Sequence, residues 1–244
     1  MLIRVGKHAH DKEAAVDFTL QPHLLIAGTS GSGKSNVINL VVCQLLRRRA
    51  DLYLIDLKGG LELGTYESVA CGFAETTEQA VEVLEAAHGT MKARLGRMKA
   101  AGIKKIDDLG DRHVFVVIDE LGELFDGLSK GASKEAKAQF DRAHELFASI
   151  LRLGRAEGVH IIAATQRPDT QVISVTERDL FGTRICGPLS TKSSSEIVLG
   201  NGDYGAFELP DSPKSRMVIK SGNAMSQAFQ AYYLPSSEIG KLFG

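Results

Sequence analysis

The sequence predicts an α/β fold with a mainly parallel central sheet flanked by helices, and three observations predict it. Apolar runs of strand length alternate with longer segments of helical spacing along the 244 residues, the pattern of strand–helix–strand units. Several of those runs end in groups that carry chemistry: a glycine-rich loop from Gly28, Asp56 with Lys58, Asp119 with Glu120, and Gln166 with Arg167. In open parallel sheets ligands sit beyond the carboxyl ends of the strands, so these groups are expected to converge on one site. The first of them opens the run Gly28-Thr29-Ser30-Gly31-Ser32-Gly33-Lys34-Ser35, which fits the phosphate-binding pattern GxxxxGK[ST] at every fixed position. A chain that is 43% hydrophobic at this length buries one substantial core.

The elements follow in order. Residues 2–5 and 15–20 read as two short strands around a polar turn, a small N-terminal β extension over 1–22 ahead of a main domain over 23–244. An apolar strand over 23–27 feeds the glycine-rich run. A helix over 35–49 repeats Val37, Leu40, Val41 and Leu45, and ends in Arg47-Arg48-Arg49, whose charge suits a helix C-terminus. Strands over 52–55 and 69–73 come next. A long helix then starts at a capping box, Thr76 with Gln79, and runs to about 101. The strand over 114–118 ends in the acidic pair. The Gly/Ser/Lys stretch 127–133 reads as an exposed loop. A helix over 135–157 leads to a strand over 159–164, and short strands near 183–186, 216–220 and 228–233 finish the sheet.

Chemistry attaches to particular residues. The glycines let successive backbone N–H groups curl around phosphate oxygens, Lys34 reaches the β and γ phosphates, and the Ser35 hydroxyl ligates Mg²⁺. The helix that begins there adds its positive end beneath the anion, so the nucleotide-binding set runs from Gly28 through Asn36. Strand 114–118 followed by Asp119-Glu120 has the form of a Walker B strand. Asp119 is expected in the Mg²⁺ shell, and Glu120 to orient and deprotonate the attacking water. The adjacent glutamate favours ATP hydrolysis over the chemistry of a P-loop kinase or a Ras-like GTPase. Gln166 is placed to hydrogen-bond the γ-phosphate or that water. Arg155 admits two readings: a surface arginine complementing a helix end, or an arginine finger that serves a neighbouring subunit.

Bulk properties exclude several classes. With 29 basic and 30 acidic residues the subunit carries no overall footprint for coating nucleic acid, although a local basic loop is compatible with that balance. Cys43, Cys71 and Cys186 lack CxxC spacing and read as core residues of a reducing, cytoplasmic setting. No stretch is apolar enough to span a membrane.

Together these residues resemble the motor domain of the FtsK/SpoIIIE family of double-stranded DNA translocases. The likeness begins at Val5-Gly6-Lys7 and Val16-Asp17-Phe18, and passes through Pro22-His23-Leu24-Leu25-Ile26-Ala27-Gly28. It resumes at Ile55-Asp56-Leu57-Lys58 and around Met91 to Arg94. It is densest in Gly154-Arg155-Ala156-Glu157-Gly158-Val159-His160 and Ala164-Thr165-Gln166-Arg167-Pro168, and continues to Phe229-Gln230-Ala231. The segments Thr183-Arg184-Ile185-Cys186 and Ile197-Val198-Leu199-Gly200 look most like the plasmid-transfer branch of actinobacteria.

The resemblance implies a RecA-like P-loop ATPase that assembles as a homo-oligomer, a hexameric ring with double-stranded DNA threading its pore. It implies a trans-acting arginine finger at Arg155, and phosphate-backbone contacts at Arg167 and Arg178, with Lys192 as a further candidate. Conjugation, chromosome segregation and mobile-element transfer are the settings it implies. A secretion-type ring ATPase with a protein substrate is the alternative. Two departures stand out: Glu196 occupies a position often basic in the family, and only residues 1–22 precede the nucleotide strand, where family members carry a larger motor subdomain. The expectation is a minimal translocase or a component whose ring depends on other chains.

Overall fold

The structure, a computed structural model, describes residues 1–125, 133–210 and 212–240. It begins with β1 (Leu2–Lys7) and β2 (Glu13–Asp17), then β3 (Leu24–Ala27), α1 (Lys34–Arg47), β4 (Asp51–Ile55), β5 (Gly72–Ala74) and α2 (Thr77–Ala101). There follow β6 (Val114–Ile118), α3 (Leu121–Phe125), α4 (Lys134–Leu153), β7 (Val159–Thr165), α5 (Val175–Leu180) and β8 (Thr183–Cys186). The chain closes with α6 (Lys192–Leu199), β9 (Arg216–Ser221), β10 (Gln227–Ala231) and α7 (Ser236–Ile239).

The ten strands of the described residues join one sheet in the order β2-β1-β10-β9-β8-β3-β7-β6-β4-β5. The segment from β8 to β5 is parallel, as expected, and the segment from β9 to β2 is antiparallel. The N-terminal β extension thus continues the central sheet at its antiparallel end. β1 pairs with β10 through Gly6↔Ala231, and Ile3, Val5, Val16 and Phe18 are buried in the core beneath α1. Residues 1–22 and the rest of the chain share a sheet and a core.

Period-two alternation builds two cores, one on each face. Leu25, Val116, Ile118, Ile161 and Ala163 face α2 and α4, while Leu24, Ile26, Phe115, Val117 and Ile162 face α1. The predicted capping box of α2 is present, with Thr76 accepting from Gln79 N–H while the Gln79 side chain accepts from Thr76 N–H.

Some boundaries moved for identifiable reasons. Residues 64–69 wind into a 3₁₀ turn, so the edge strand starts at Gly72. α4 starts one residue early under the Ser133 cap and stops at Leu153, where the Gly154 N–H bonds Ile150 O and the chain turns into β7. The helices α3, α5 and α6 fall in stretches too short to show a helical period. The local signals for two of them are caps: Ser174 with Glu177 for α5, and Thr191 for α6. Of the expected loop over 127–133, all but Ser133 lies outside the described residues. Cys43 and Cys186 are buried as expected, whereas Cys71 is exposed beside the edge strand. Among the described residues no helix is long and apolar enough to cross a membrane.

Candidate active site

Parallel pairing in register aligns the strand ends that the sequence singled out. Ile55 lies opposite Ile118, Ile118 opposite Ala163, and Ala27 opposite Thr165. The residues that follow these ends line a single cleft of about 260 Å³: Ser30, Gly31, Gly33, Lys34 and Ser35 on one side, Lys58, Leu61 and Glu62 on another, with Asp119 and Gln166 between. Lys58 stands where the strand ends were expected to converge, and Leu61 and Glu62 are additions to the sequence-based set. They reach the cleft because the buried Asp56 carboxylate accepts the N–H groups of Lys58, Glu62 and Leu63, at 3.2, 2.9 and 2.9 Å, folding the segment back over the strand end. The signal available in the sequence was an aspartate two residues before the lysine.

The loop from Gly28 to Gly33 closes tightly. Thr29 N–H and its hydroxyl both approach Pro188 O at 3.4 Å, and Ser32 N–H bonds Thr29 O. Gly33 sits at φ +101°, and a Cβ there would run into Ser215, a residue of the turn before β9 that no motif announced. A side chain at Gly28 would press on Ser32 and Gly187, so both positions keep the loop backbone bare. The Ser32 hydroxyl is buried with no protein partner. Lys34 is 7% exposed and donates to Gly28 O at 2.9 Å and Thr29 O at 3.3 Å. Burial pushes its ammonium below the ordinary lysine value, opposed by Glu120 and Asp119.

Burial, reinforced by Asp56 and Glu62, pushes the Asp119 carboxyl up to about 6, while Lys58 pulls it down. A carboxyl raised in this way, beside the Ser35 hydroxyl and a bare backbone cradle, suits a hard divalent cation shared with phosphate oxygens: the ion would restore the ionised form. The residues present thus fit Mg²⁺ and a triphosphate. Glu120 is 8% exposed and held from three directions, by Lys58 Nζ, by Gln166 N–H and by Gly122 N–H. Gln166 itself is exposed at the cleft.

The Asn36 side chain is committed elsewhere, which leaves only its backbone N–H at the start of α1 to the nucleotide. Its amide donates to Tyr232 O at 2.6 Å and accepts from Leu234 N–H at 2.9 Å, so both ends of the side chain tie α1 to the segment after β10.

Arg155 is exposed at the opposite end of the sheet. The seven residues of β7 separate it from Gln166, and at about 3.3 Å per residue such a strand is about 20 Å long, which rules out contact with its own nucleotide site. The turn that carries it is braced from beneath by Arg94, which donates to the carbonyls of Glu157 and Gly158 at 2.9 and 3.3 Å and of Arg112 at 2.5 Å. A larger cavity of about 730 Å³ lies at this end, walled by Phe18, Ile106, Leu153 and His160. It contains none of the phosphate-loop residues, and we assign the nucleotide to the smaller cleft on its chemistry.

The three expected DNA contacts separate. Arg167 and Lys192 are exposed, and Lys192 Nζ rests 5.1 Å from the centre of the Tyr204 ring. Arg178 does not present its charge. It is 9% exposed, pairs with Asp179 and donates to Glu196 O and Ile197 O, while the buried Arg184 donates to Val198 O and Leu199 O. Two guanidiniums therefore cap the last turn of α6, satisfying carbonyls that a helix end leaves open. Glu196 is likewise engaged, accepting from Gly202 N–H at 2.9 Å. Arg178→Ala is expected to lower stability by about 1–3 kcal/mol, read by denaturant unfolding, because it leaves helix-end carbonyls without donors. Unchanged stability with weakened DNA binding would return Arg178 to the DNA surface.

The FtsK/SpoIIIE family model matches residues 1–126. The chain belongs to the FtsK/SpoIIIE family. Members of this family are P-loop ATPases, in keeping with the cleft just described. Among curated relatives of the FtsK/SpoIIIE chain, DNA translocase FtsK 2 of Ralstonia nicotianae is 32% identical over 235 residues, covering 82% of this chain and 29% of the relative. DNA translocase FtsK of Mesorhizobium japonicum is 26% identical over an alignment of 290 residues, covering 100% of this chain and 31% of the relative. The chain thus spans less than a third of the length of either. Among solved structures, the pCW3 conjugation coupling protein TcpA in monomer form with ATPγS superposes with a TM-score of 0.90 at 31% identity, covering 99% of this chain and 69% of that one. The cytoplasmic domain of the type VII secretion ATPase EccC of Thermomonospora curvata gives 0.77 at 26% identity, covering 95% and 28%.

Proposed function

We propose that this chain is an ATP-hydrolysing motor that works in a ring and moves double-stranded DNA, in the manner of plasmid transfer or chromosome segregation. The observation that carries this reading is the separation of Arg155 from the cleft. The phosphate loop, Asp119 and Glu120 stand at one end of the sheet and Arg155 at the other, so a head-to-tail neighbour brings the finger of one subunit to the triphosphate of the next. Such a heterologous contact gives a ring where the rotation between neighbours closes, and the family resemblance favours six subunits.

Within one site the residues divide the work. The loop N–H groups and Lys34 hold the β and γ phosphates. Ser35 and Asp119 hold Mg²⁺, which when bound neutralises charge on the phosphate oxygens. Glu120 takes the proton of the attacking water, and Gln166 orients that water or the γ-phosphate. Arg167 and Lys192 offer exposed charge to the DNA backbone, which suits a motor indifferent to sequence. The balanced net charge is no obstacle, since copies of one basic loop concentrate in a central pore.

ATP turnover is expected to rise several-fold on adding long double-stranded DNA at low salt, and the stimulation to fade as salt increases. No response at any salt concentration would exclude the DNA motor. The similarity to EccC supports a second reading, a secretion-type ring ATPase that engages a protein. That reading predicts turnover indifferent to DNA.

A further inference from the structure

Glu120 is proposed above to accept a proton from water, yet both oxygens of its carboxylate already accept hydrogen bonds from the protein. Oε2 accepts from Lys58 Nζ at 3.3 Å and from Gln166 N–H at 3.0 Å; Oε1 accepts from the same N–H at 3.1 Å and from Gly122 N–H at 3.3 Å. Three donors therefore converge on one carboxylate, with the Gln166 N–H shared between its two oxygens. A water set against the γ-phosphate must compete with these three donors for Glu120.

The two principal donors report on different events. Lys58 Nζ belongs to the wall of the nucleotide cleft and is 30% exposed at its side chain, so a bound triphosphate offers it a competing anion a short swing away. The Asp56 carboxylate fixes the backbone of Lys58 and leaves its four-carbon stem to make that swing. The Gln166 N–H belongs to the peptide next to Arg167, the exposed arginine of the proposed DNA contact. Displacement of that segment by a polyanion moves the amide off the carboxylate.

We propose that Lys58 and the Gln166 amide form a latch on Glu120, with Lys58 the positioning residue that keeps the base from the water until nucleotide and DNA draw the two donors away. This rests on the DNA-stimulated hydrolysis proposed above, and it adds the device that links the two sites. Lys58 and Glu120 lie 62 residues apart in the chain, and each is one of several charged residues at strand ends, so no motif pairs them.

The test is Lys58→Met, which removes the ammonium and keeps the stem, assayed for kcat and KM with and without long double-stranded DNA. The latch predicts a DNA-free kcat raised about threefold or more, a KM for ATP changed by less than about threefold, and a stimulation ratio reduced towards one. Lys58→Arg restores a cation and is expected to return the low DNA-free rate. A DNA-free kcat that falls, or a KM raised about tenfold with the stimulation ratio intact, overturns the latch and makes Lys58 an ordinary phosphate ligand. Lys58→Gln, read in the same way, covers the case in which the methionine variant fails to fold. If wild-type turnover ignores DNA, the motor reading fails by itself, and the DNA-free kcat of the variants still decides the latch.

Discussion

Glu120→Gln is expected to bind ATP as the parent does and to lose turnover by about 10²- to 10⁴-fold, the usual worth of a positioned general base. The substitution is close to isosteric. The glutamine carbonyl still accepts from the Gln166 and Gly122 amides that now bond the carboxylate, so the strand end keeps its shape. What disappears is the second oxygen, paired here with Lys58, and with it the capacity to take a proton from water. The phosphate loop makes no contact with Glu120 through this oxygen, and affinity for a fluorescent ATP analogue should stay within about twofold, since uniform binding is untouched. Phosphate release measured beside analogue binding separates the two quantities. Turnover within about tenfold of the parent would remove Glu120 from the role of base.

Arg155→Ala should be at least as damaging, and its damage should be repairable in a mixture. An arginine finger is worth about 10³- to 10⁵-fold in other phosphoryl-transfer sites, so the variant alone is expected to be close to inactive. Lys34→Ala is expected to be inactive for a different reason, at the opposite end of the sheet. When the two are mixed in equal amounts, about one quarter of the head-to-tail contacts join an intact phosphate loop to an intact Arg155, and turnover should recover towards that fraction if contacts act independently. No recovery from two folded, co-assembling variants would refute action in trans. The geometry makes the experiment decisive: within one subunit, β7 stands between Arg155 and the cleft, so no rearrangement of a single site restores the activity.

Features carried by contiguous residues were legible from the chain. The phosphate loop needs consecutive backbone donors and a lysine at a set spacing, and β3, the loop and α1 stand as the run Gly28 to Ser35 implied. The Asp119-Glu120 pair sits at the end of its strand for the same reason: an apolar run buried on both faces must end where polar groups meet solvent. The capping box of α2 was readable because its partners are three residues apart. The first two strands were legible as an N-terminal β extension, but not their place in the sheet, because their partner, β10, lies more than 200 residues away in the chain. Arg178 was misplaced because its formal charge is visible in a sequence and its partners, the carbonyls at the end of α6, are not. Asn36 was grouped with its neighbours in the loop, while its amide reaches across to Tyr232 and Leu234.

By itself, then, the sequence determined which groups line the candidate phosphate cleft, because their placement is written in local spacing along one strand, one loop and one helix start. Only the tertiary structure decided what those groups are doing to one another. It placed Lys58 and the Gln166 amide on Glu120, closed Ser215 over Gly33, withdrew Arg178 into the protein and left Arg155 facing away from its own cleft. Hydrogen bonds and charge pairs act over a few ångströms of space, whatever the distance along the chain, and the fold sets that space.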